Sequence, residues 1–159
     1  MVTMPLQATS SMPDSLDGVI RVMVVDDSAV IRGIFRRTLD VDPQITVVAS
    51  VGNGQHAIDS VARQPIDVVV LDIEMPVMDG MEATTIIRTL PGQRGKVPVV
   101  ALTADVSVGK TSEFQAAAID AICTKPIELA DLLQTINRLL ADEIHQMKEG
   151  APRDTSTDT

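Results

Sequence analysis

Polar side chains that could handle a phosphoryl group follow several apolar segments of this chain. Asp26 and Asp27 come directly after one such segment, and Asp72 comes directly after another. Carboxylate oxygens are hard ligands that suit Mg²⁺, and a carboxylate can also attack phosphorus to form an acyl phosphate. Thr103 and Lys125 follow two further apolar segments and could supply a hydroxyl group and a positive charge. These residue types indicate metal-assisted phosphoryl transfer, with Asp72 as the nucleophile.

The segments that precede these residues are typical of strands buried on both faces of a sheet. They are short, apolar and rich in β-branched residues, as in 22–25, 67–71 and 97–102. The carboxyl ends of parallel strands meet at one edge of an open α/β sheet, and ligands bind at that edge. We therefore expect the acids, the hydroxyl group and the amine to converge there.

Strand and helix patterns alternate along the whole central part of the chain. Apolar patterning and turn residues predict strands at about 21–25, 45–51, 67–71, 97–102 and 119–123. They predict helices at about 28–41, 54–64, 81–90, 106–117 and 128–147. This alternation favours an α/β fold in which helices cover both faces of a parallel sheet. We predict a doubly wound, flavodoxin-like, five-stranded sheet in the order 2-1-3-4-5.

The first predicted helix offers a simpler interpretation of the neighbouring acid pair. Asp27 or Ser28 could cap the helix, which would leave Asp26 or Asp27 as an ordinary solvated charge. The third acid, Asp72, favours the metal site over this alternative. The apolar residues of the helix fall along one face: Val30, Ile31, Ile34, Phe35 and Leu39.

Composition and length describe one domain between two polar tails. The chain has 159 residues and a net charge of −9, which argues against binding to nucleic acid. We predict a domain over 20–147 and disordered tails over 1–19 and 148–159, because the tails are too polar to offset their ordering entropy. No apolar run reaches the roughly 20 residues of a membrane helix, and no signal peptide is evident. We expect a cytoplasmic protein that binds neither nucleic acid nor membranes.

Four motifs of the chain together resemble the receiver domain of two-component response regulators. The resemblance covers about 20–142, and it is specific because the motifs fall in order at successive strand ends. The motifs are Val24-Val25-Asp26-Asp27-Ser28, Leu71-Asp72-Ile73-Glu74-Met75-Pro76-Val77-Met78-Asp79-Gly80, Ala101-Leu102-Thr103-Ala104 and Thr124-Lys125-Pro126.

The resemblance implies that Asp72 accepts a phosphoryl group from a phosphohistidine. The donor would be a histidine kinase or a phosphotransfer protein. Mg²⁺ would be held by Asp26, Asp27, Asp72 and the backbone carbonyl of Glu74.

The resemblance also implies how the phosphoryl group is held and used. Thr103, Lys125 and the backbone of Ala104 would bind its oxygens, and Gly80 and Pro126 would have structural roles. The phosphorylated protein, a monomer or weak dimer, would then change its contacts with a downstream protein that the sequence does not identify.

The chain departs from the family at one position that is expected to take part in signalling. Ile122 occupies the position, three residues before the lysine, where the family usually has Tyr, Phe or His, and the chain contains no Tyr or Trp. Phosphorylation would therefore have to act through Thr103 and the loop 104–110.

Only a short tail follows the last predicted helix, which predicts a stand-alone receiver similar to chemotaxis regulators. The first half resembles the receiver of chemotaxis methylesterases, without their esterase domain. We expect no enzymatic activity beyond Mg²⁺-dependent phosphorylation and dephosphorylation of the chain itself. Two alternatives remain open: an aspartyl-phosphate phosphatase of the haloacid-dehalogenase type, and a binding-only pseudo-receiver.

Overall fold

The computed structural model describes residues 19–104 and 107–150, and for Val108 and 142–150 it describes the backbone alone. The predicted amino-terminal tail up to residue 18, residues 105–106 of the loop 104–110 and the last residues 151–159 lie outside this description.

Five parallel strands and five α-helices alternate within the described residues. The sheet order is β2-β1-β3-β4-β5, so the predicted doubly wound fold is confirmed. The strands are β1 (Ile20–Val25), β2 (Ile45–Val51), β3 (Val68–Asp72), β4 (Val99–Thr103) and β5 (Ala121–Thr124). The helices are α1 (Ala29–Asp40), α2 (Gly54–Arg63), α3 (Gly80–Ile87), α4 (Val108–Ala116) and α5 (Leu129–Gly150).

The central strands are buried because helices cover both faces of the sheet. In β3 every residue is buried, and successive side chains point to opposite faces. Val68 and Val70 pack with Leu39 of α1 and with α5, whereas Val69 and Leu71 pack with α2 and α3. This double burial explains why the strands appear in the sequence as continuous apolar runs.

Several element boundaries differ from the prediction at places where side chains form hydrogen bonds with the backbone. Asp67, predicted in β3, instead accepts hydrogen bonds from the backbone N–H of Arg21 (2.7 Å) and from its guanidinium group. Helix α3 ends at Ile87, and a short 3₁₀ helix over Gly92–Lys96 was not predicted. Arg88, the residue that follows α3, donates to the carbonyl groups of Gly95, Val97 and Ala118. These hydrogen bonds fix the connection between α3 and β4.

Helix α5 is longer than predicted at its carboxyl end, which lies at Gly150. No helix in the described part of the chain combines the length and the apolar character needed to cross a bilayer.

Helix α1 buries less of its apolar face than its pattern predicts. Leu39 is fully buried, but Ile34 is 52% exposed and Val30 is 71% exposed. The predicted stripe therefore divides into a part that packs on the sheet and a part that remains exposed. Periodicity identifies an apolar face but does not say which neighbour covers it.

Gly80 begins α3 in a position that has no room for a side chain. A Cβ atom there would lie 2.7 Å from the backbone oxygen of Asp72 and 3.0 Å from the Cα atom of Ile73. The N–H of Gly80 also donates to the carbonyl oxygen of Ile73 (3.0 Å). Both obstacles are backbone atoms of the segment that carries Asp72.

We predict that Gly80→Ala lowers the free energy of unfolding by about 1–3 kcal/mol, since overpacked backbone must shift. Urea unfolding followed by circular dichroism measures the change. The control is Gly33→Ala in α1, where a Cβ atom meets nothing within 4 Å. Because alanine is the better helix former, the control should gain about 0.5–1 kcal/mol. Equal stability of Gly80→Ala and wild type would contradict the prediction.

Candidate functional site

The end of β1 carries two acids with different surroundings. Asp26 is buried, and its Oδ1 atom accepts a hydrogen bond from the N–H of Ser28 (2.8 Å). Asp27 is exposed. The hydroxyl group of Ser28 caps α1 by accepting from the N–H of Ile31 (3.2 Å). Since Ser28 caps the helix, Asp27 is not used as the cap.

The last residue of β3, Asp72, is 3% exposed and lies between β1 and β4. One oxygen from each of Asp26, Asp27 and Asp72 can be chosen so that all three lie within 4.8 Å of one another. The structure thus brings together the three acids that the sequence singled out. Their hard oxygen atoms form a donor set that fits a divalent cation such as Mg²⁺.

Lys125 follows β5 and reaches across β4 to the acids. Its Nζ atom lies 2.8 Å from Oδ1 of Asp72, and its backbone N–H donates to the carbonyl oxygen of Thr103 (2.9 Å). The peptide bond between Lys125 and Pro126 is cis, which the sequence allowed but did not predict. The amine and the acid therefore meet at the same edge of the sheet.

The side chain of Glu74 makes contacts that the sequence did not predict. The hydroxyl group of the buried Thr103 donates to Oε1 of Glu74 (2.9 Å). The Oε2 atom of Glu74 lies 3.7 Å from Nζ of Lys125. In the sequence, the only indication was an acid two residues after Asp72.

The loop between β3 and α3 is tight. Asp79 caps α3 through a hydrogen bond from the N–H of Glu82 to its Oδ1 atom (2.8 Å). The N–H of Met78 donates to the carbonyl oxygen of Pro76 (2.8 Å), and Val77 between them has a φ of 71°. A β-branched residue rarely adopts this left-handed conformation. The loop therefore stores local strain beside the site.

Burial shifts the pKa values of the central acids. Burial raises the pKa of Asp26 and of Asp72 above the usual range, and the neighbouring carboxylates add to this effect. Lys125 counteracts it for both acids. Although burial alone would lower the pKa of Lys125, its contacts with Asp72 and the nearby acids raise it. The lysine is a partial counterion for a site with excess negative charge.

The residues expected to transmit a signal lie on the far side of β4. Ile122 of β5 is half-buried and packs against a small cluster that contains Phe114 of α4 and Ala101 of β4. Ala104 is exposed directly after Thr103. The loop 104–110 falls partly outside the described residues.

An apolar groove opens beside the acids, between α1 and α5. Its volume is about 530 Å³, and it extends from Asp72 and Lys125 along the exposed part of α1. Ile31 and Ile34 line it, and they are 38% and 52% exposed. The sequence did not indicate this groove, because the same residues suggested a core-facing helix.

Comparison of the chain with protein families gives one match that spans most of the domain. Residues 22–137 match the profile described as response regulator receiver domain. The matched range includes every site residue predicted above.

Individual relatives and structures agree with this match. The chain is 43% identical over 151 residues to the protein-glutamate methylesterase/protein-glutamine glutaminase of group 2 operon of Rhodospirillum centenum. The aligned region covers 94% of this chain but only 38% of that relative. The chemotaxis response regulator CheY4 of Vibrio cholerae superposes with a TM-score of 0.68 at 31% identity, over 77% of this chain and 99% of that one.

A second structure was determined with a metal ion. The receiver domain of sensor histidine kinase PA1611 of Pseudomonas aeruginosa has magnesium coordinated in its active site cleft. It superposes with a TM-score of 0.67 at 28% identity, over 77% of this chain and 98% of that one.

We predict that Asp26→Asn stabilises the metal-free protein at neutral pH by about 1 kcal/mol, because burial raises the pKa of Asp26 and so disfavours its ionised form. An acid whose pKa is raised by folding is destabilising when ionised. Wild type should therefore gain stability as the pH falls through the raised pKa of Asp26, and the variant should gain less. Urea unfolding in EDTA at several pH values measures both effects.

The matched control is Asp40→Asn. Oδ1 of Asp40 also accepts a backbone hydrogen bond, from Val47 (3.2 Å), but Asp40 is exposed. The control should change stability by no more than about 0.5 kcal/mol. A loss of stability in Asp26→Asn would show that ionised Asp26 is not a source of strain.

Proposed function

The chain belongs to the response regulator receiver domain family, and we propose that Asp72 is its phosphoacceptor. The donor would be a phosphohistidine on a kinase or phosphotransfer protein. Phosphorylation would change the contacts of this chain with a further protein. The observation that carries the proposal is the 2.8 Å contact between Lys125 and an acid that two other carboxylates surround.

Mg²⁺ would be held by Asp26, Asp27, Asp72 and the backbone carbonyl of Glu74. The clustered oxygens support this assignment, since Mg²⁺ takes few carboxylates from a protein and retains water. The bound cation would offset the charge that develops on the phosphoryl oxygens.

In the transfer step an oxygen of Asp72 forms a bond to phosphorus while the bond between phosphorus and the donor imidazole nitrogen breaks. The nitrogen keeps the electron pair of the broken bond and takes a proton from solvent. Lys125 keeps Asp72 oriented and available as a carboxylate despite its burial. The same ammonium group can then pair with a phosphoryl oxygen.

Thr103 and the backbone N–H of Ala104 would bind the remaining phosphoryl oxygens. Thr103 ends β4 next to Lys125, and Ala104 begins the loop that leads to α4. Ala101, on the same strand as Thr103, packs in a cluster with Phe114 and Ile122, so movement at the end of β4 would reach Ile122 through that strand. We propose that this path replaces an aromatic switch, and that the downstream partner contacts the face formed by α4, β5 and α5.

The similarity to a chemotaxis response regulator of Vibrio cholerae supports a place in chemotaxis signalling. The Rhodospirillum centenum protein is named as a methylesterase and glutaminase, and this chain spans about two fifths of its length (38%). We therefore propose the phosphoacceptor role alone for the described residues, with its kinase drawn from a chemotaxis pathway.

We predict that acetyl phosphate with Mg²⁺ adds one phosphoryl group, at Asp72, and that EDTA prevents the addition. Intact-mass measurement on wild type and Asp72→Asn tests the site, and Asp59→Asn on α2 is the control. The same label on Asp72→Asn would disprove the assignment. Sustained hydrolysis of p-nitrophenyl phosphate would instead favour the phosphatase alternative, and no label on wild type would favour the pseudo-receiver.

The apolar groove supplies the docking surface that a protein donor needs. A donor histidine must approach Asp72 from solvent, and the groove between α1 and α5 begins at that residue. Ile31 and Ile34 on its wall are partly exposed, and this exposure does not stabilise the fold, because apolar side chains are stabilising when buried. We propose that the donor's histidine-bearing surface covers them.

We predict that Ile34→Glu slows phosphoryl transfer from protein donors by about tenfold or more, as for a buried interface residue. Labelling by acetyl phosphate should not change. The probe is a panel of purified chemotaxis kinases, autophosphorylated with radiolabelled ATP. Val41→Glu is the control, because Val41 is 79% exposed at the end of α1 and does not line the groove. Equal transfer rates for both variants would show that the groove is not the donor surface.

A further inference from the structure

Glu74 is held in place although half of its side chain faces solvent. The side chain is 50% exposed, yet one carboxylate oxygen accepts from Thr103 (2.9 Å) and the other lies 3.7 Å from Lys125. Ordering a long exposed side chain costs conformational entropy. The two contacts must therefore offset that cost.

The groups that hold Glu74 are those that would hold a phosphoryl group. Thr103 and Lys125 are the proposed donors to phosphoryl oxygens, and Lys125 also contacts Asp72 (2.8 Å). The Glu74 carboxylate thus presents anionic oxygens to both donors beside the phosphoacceptor. A phosphoryl group on Asp72 would require the same donors and would repel the carboxylate.

The direction in which the pKa of Glu74 is shifted is consistent with these contacts. Burial tends to raise the pKa of its carboxyl group, but hydrogen bonds from Thr103, its own backbone and Ala104, together with the charge of Lys125, outweigh burial and lower it. Ala104 is the third proposed donor to the phosphoryl group. The geometry itself places two of the three, Thr103 and Lys125, against the Glu74 carboxylate in this structure.

We propose that the Glu74 carboxylate is an internal substitute for the phosphoryl group. It holds Thr103 and Lys125 in the unphosphorylated protein, and it must move into solvent when Asp72 is phosphorylated. This inference rests on the proposed function of Asp72. It makes Glu74 a positioning residue that competes with phosphorylation for the hydroxyl group of Thr103.

The test measures the affinity for beryllofluoride, a phosphoryl mimic, in saturating Mg²⁺. Because the chain has no Trp or Tyr, fluorine NMR of the bound mimic replaces intrinsic fluorescence. Glu74→Ala should bind beryllofluoride about tenfold more tightly than wild type, the worth of one charge-assisted hydrogen bond. Equal or weaker binding would overturn the proposal.

Glu74→Ala also removes one negative charge from the protein, and a control must separate this effect from the loss of the two contacts. Glu82→Ala removes one negative charge from the first turn of α3, where Glu82 is exposed. Its affinity should change less than about threefold, since exposed charges are screened. A gain equal to that of Glu74→Ala would attribute the effect to net charge and overturn the proposal.

A double-mutant cycle with Thr103→Val isolates the competition for the hydroxyl group. In that background Glu74→Ala should gain clearly less affinity than in wild type, because Thr103→Val has no hydroxyl group that the loss of Glu74 could make available to the mimic. An undiminished gain would contradict the competition. Failure of wild type itself to bind beryllofluoride would instead overturn the phosphoacceptor role of Asp72, so the two failures are distinguishable.

Discussion

Mutual repulsion among carboxylates is the constraint that the rest of this structure must satisfy. Oxygens of Asp26, Asp27 and Asp72 lie within 4.8 Å of one another, and two of these acids are buried. Like charges at such distances repel more strongly in a protein than in water. The doubly buried strands β1 and β3 hold them together, since neither strand can shift without exposing apolar side chains. The apolar core thus maintains a cluster of carboxylates that repel one another, and a bound cation would relieve this repulsion.

Lys125 and Glu74 show how the remaining groups arrange themselves around this charge. The lysine lies 2.8 Å from Asp72 at the end of β3 and 3.7 Å from Glu74 in the loop that follows, so it contacts two acids at once. Thr103 contacts Glu74 from the neighbouring strand end. A modification of Asp72 would therefore disturb hydrogen bonds that connect three strand ends. Such a local change of charge can bias a larger rearrangement.

Helix α1 illustrates a compromise between stability and recognition. Complete burial of Ile34 and Ile31 would add hydrophobic stabilisation, yet both residues line an open groove that begins at Asp72. The inner face of the same helix, with Leu39 fully buried, anchors it to the sheet. One helix therefore combines a structural face with a face suited to a protein partner.

The sequence by itself determined the strands, their order and the convergence of the acids. Runs such as 67–71 indicate buried strands, and parallel strands end at one edge, so Asp26, Asp27, Asp72 and Lys125 could be placed together from the sequence alone. Tertiary structure alone decided the exposure of α1 and the contact between Glu74 and Thr103, which are 29 residues apart. Periodicity records which side chains share a face, whereas the neighbour that covers the face, and the partner that an exposed loop side chain finds, depend on how distant segments pack.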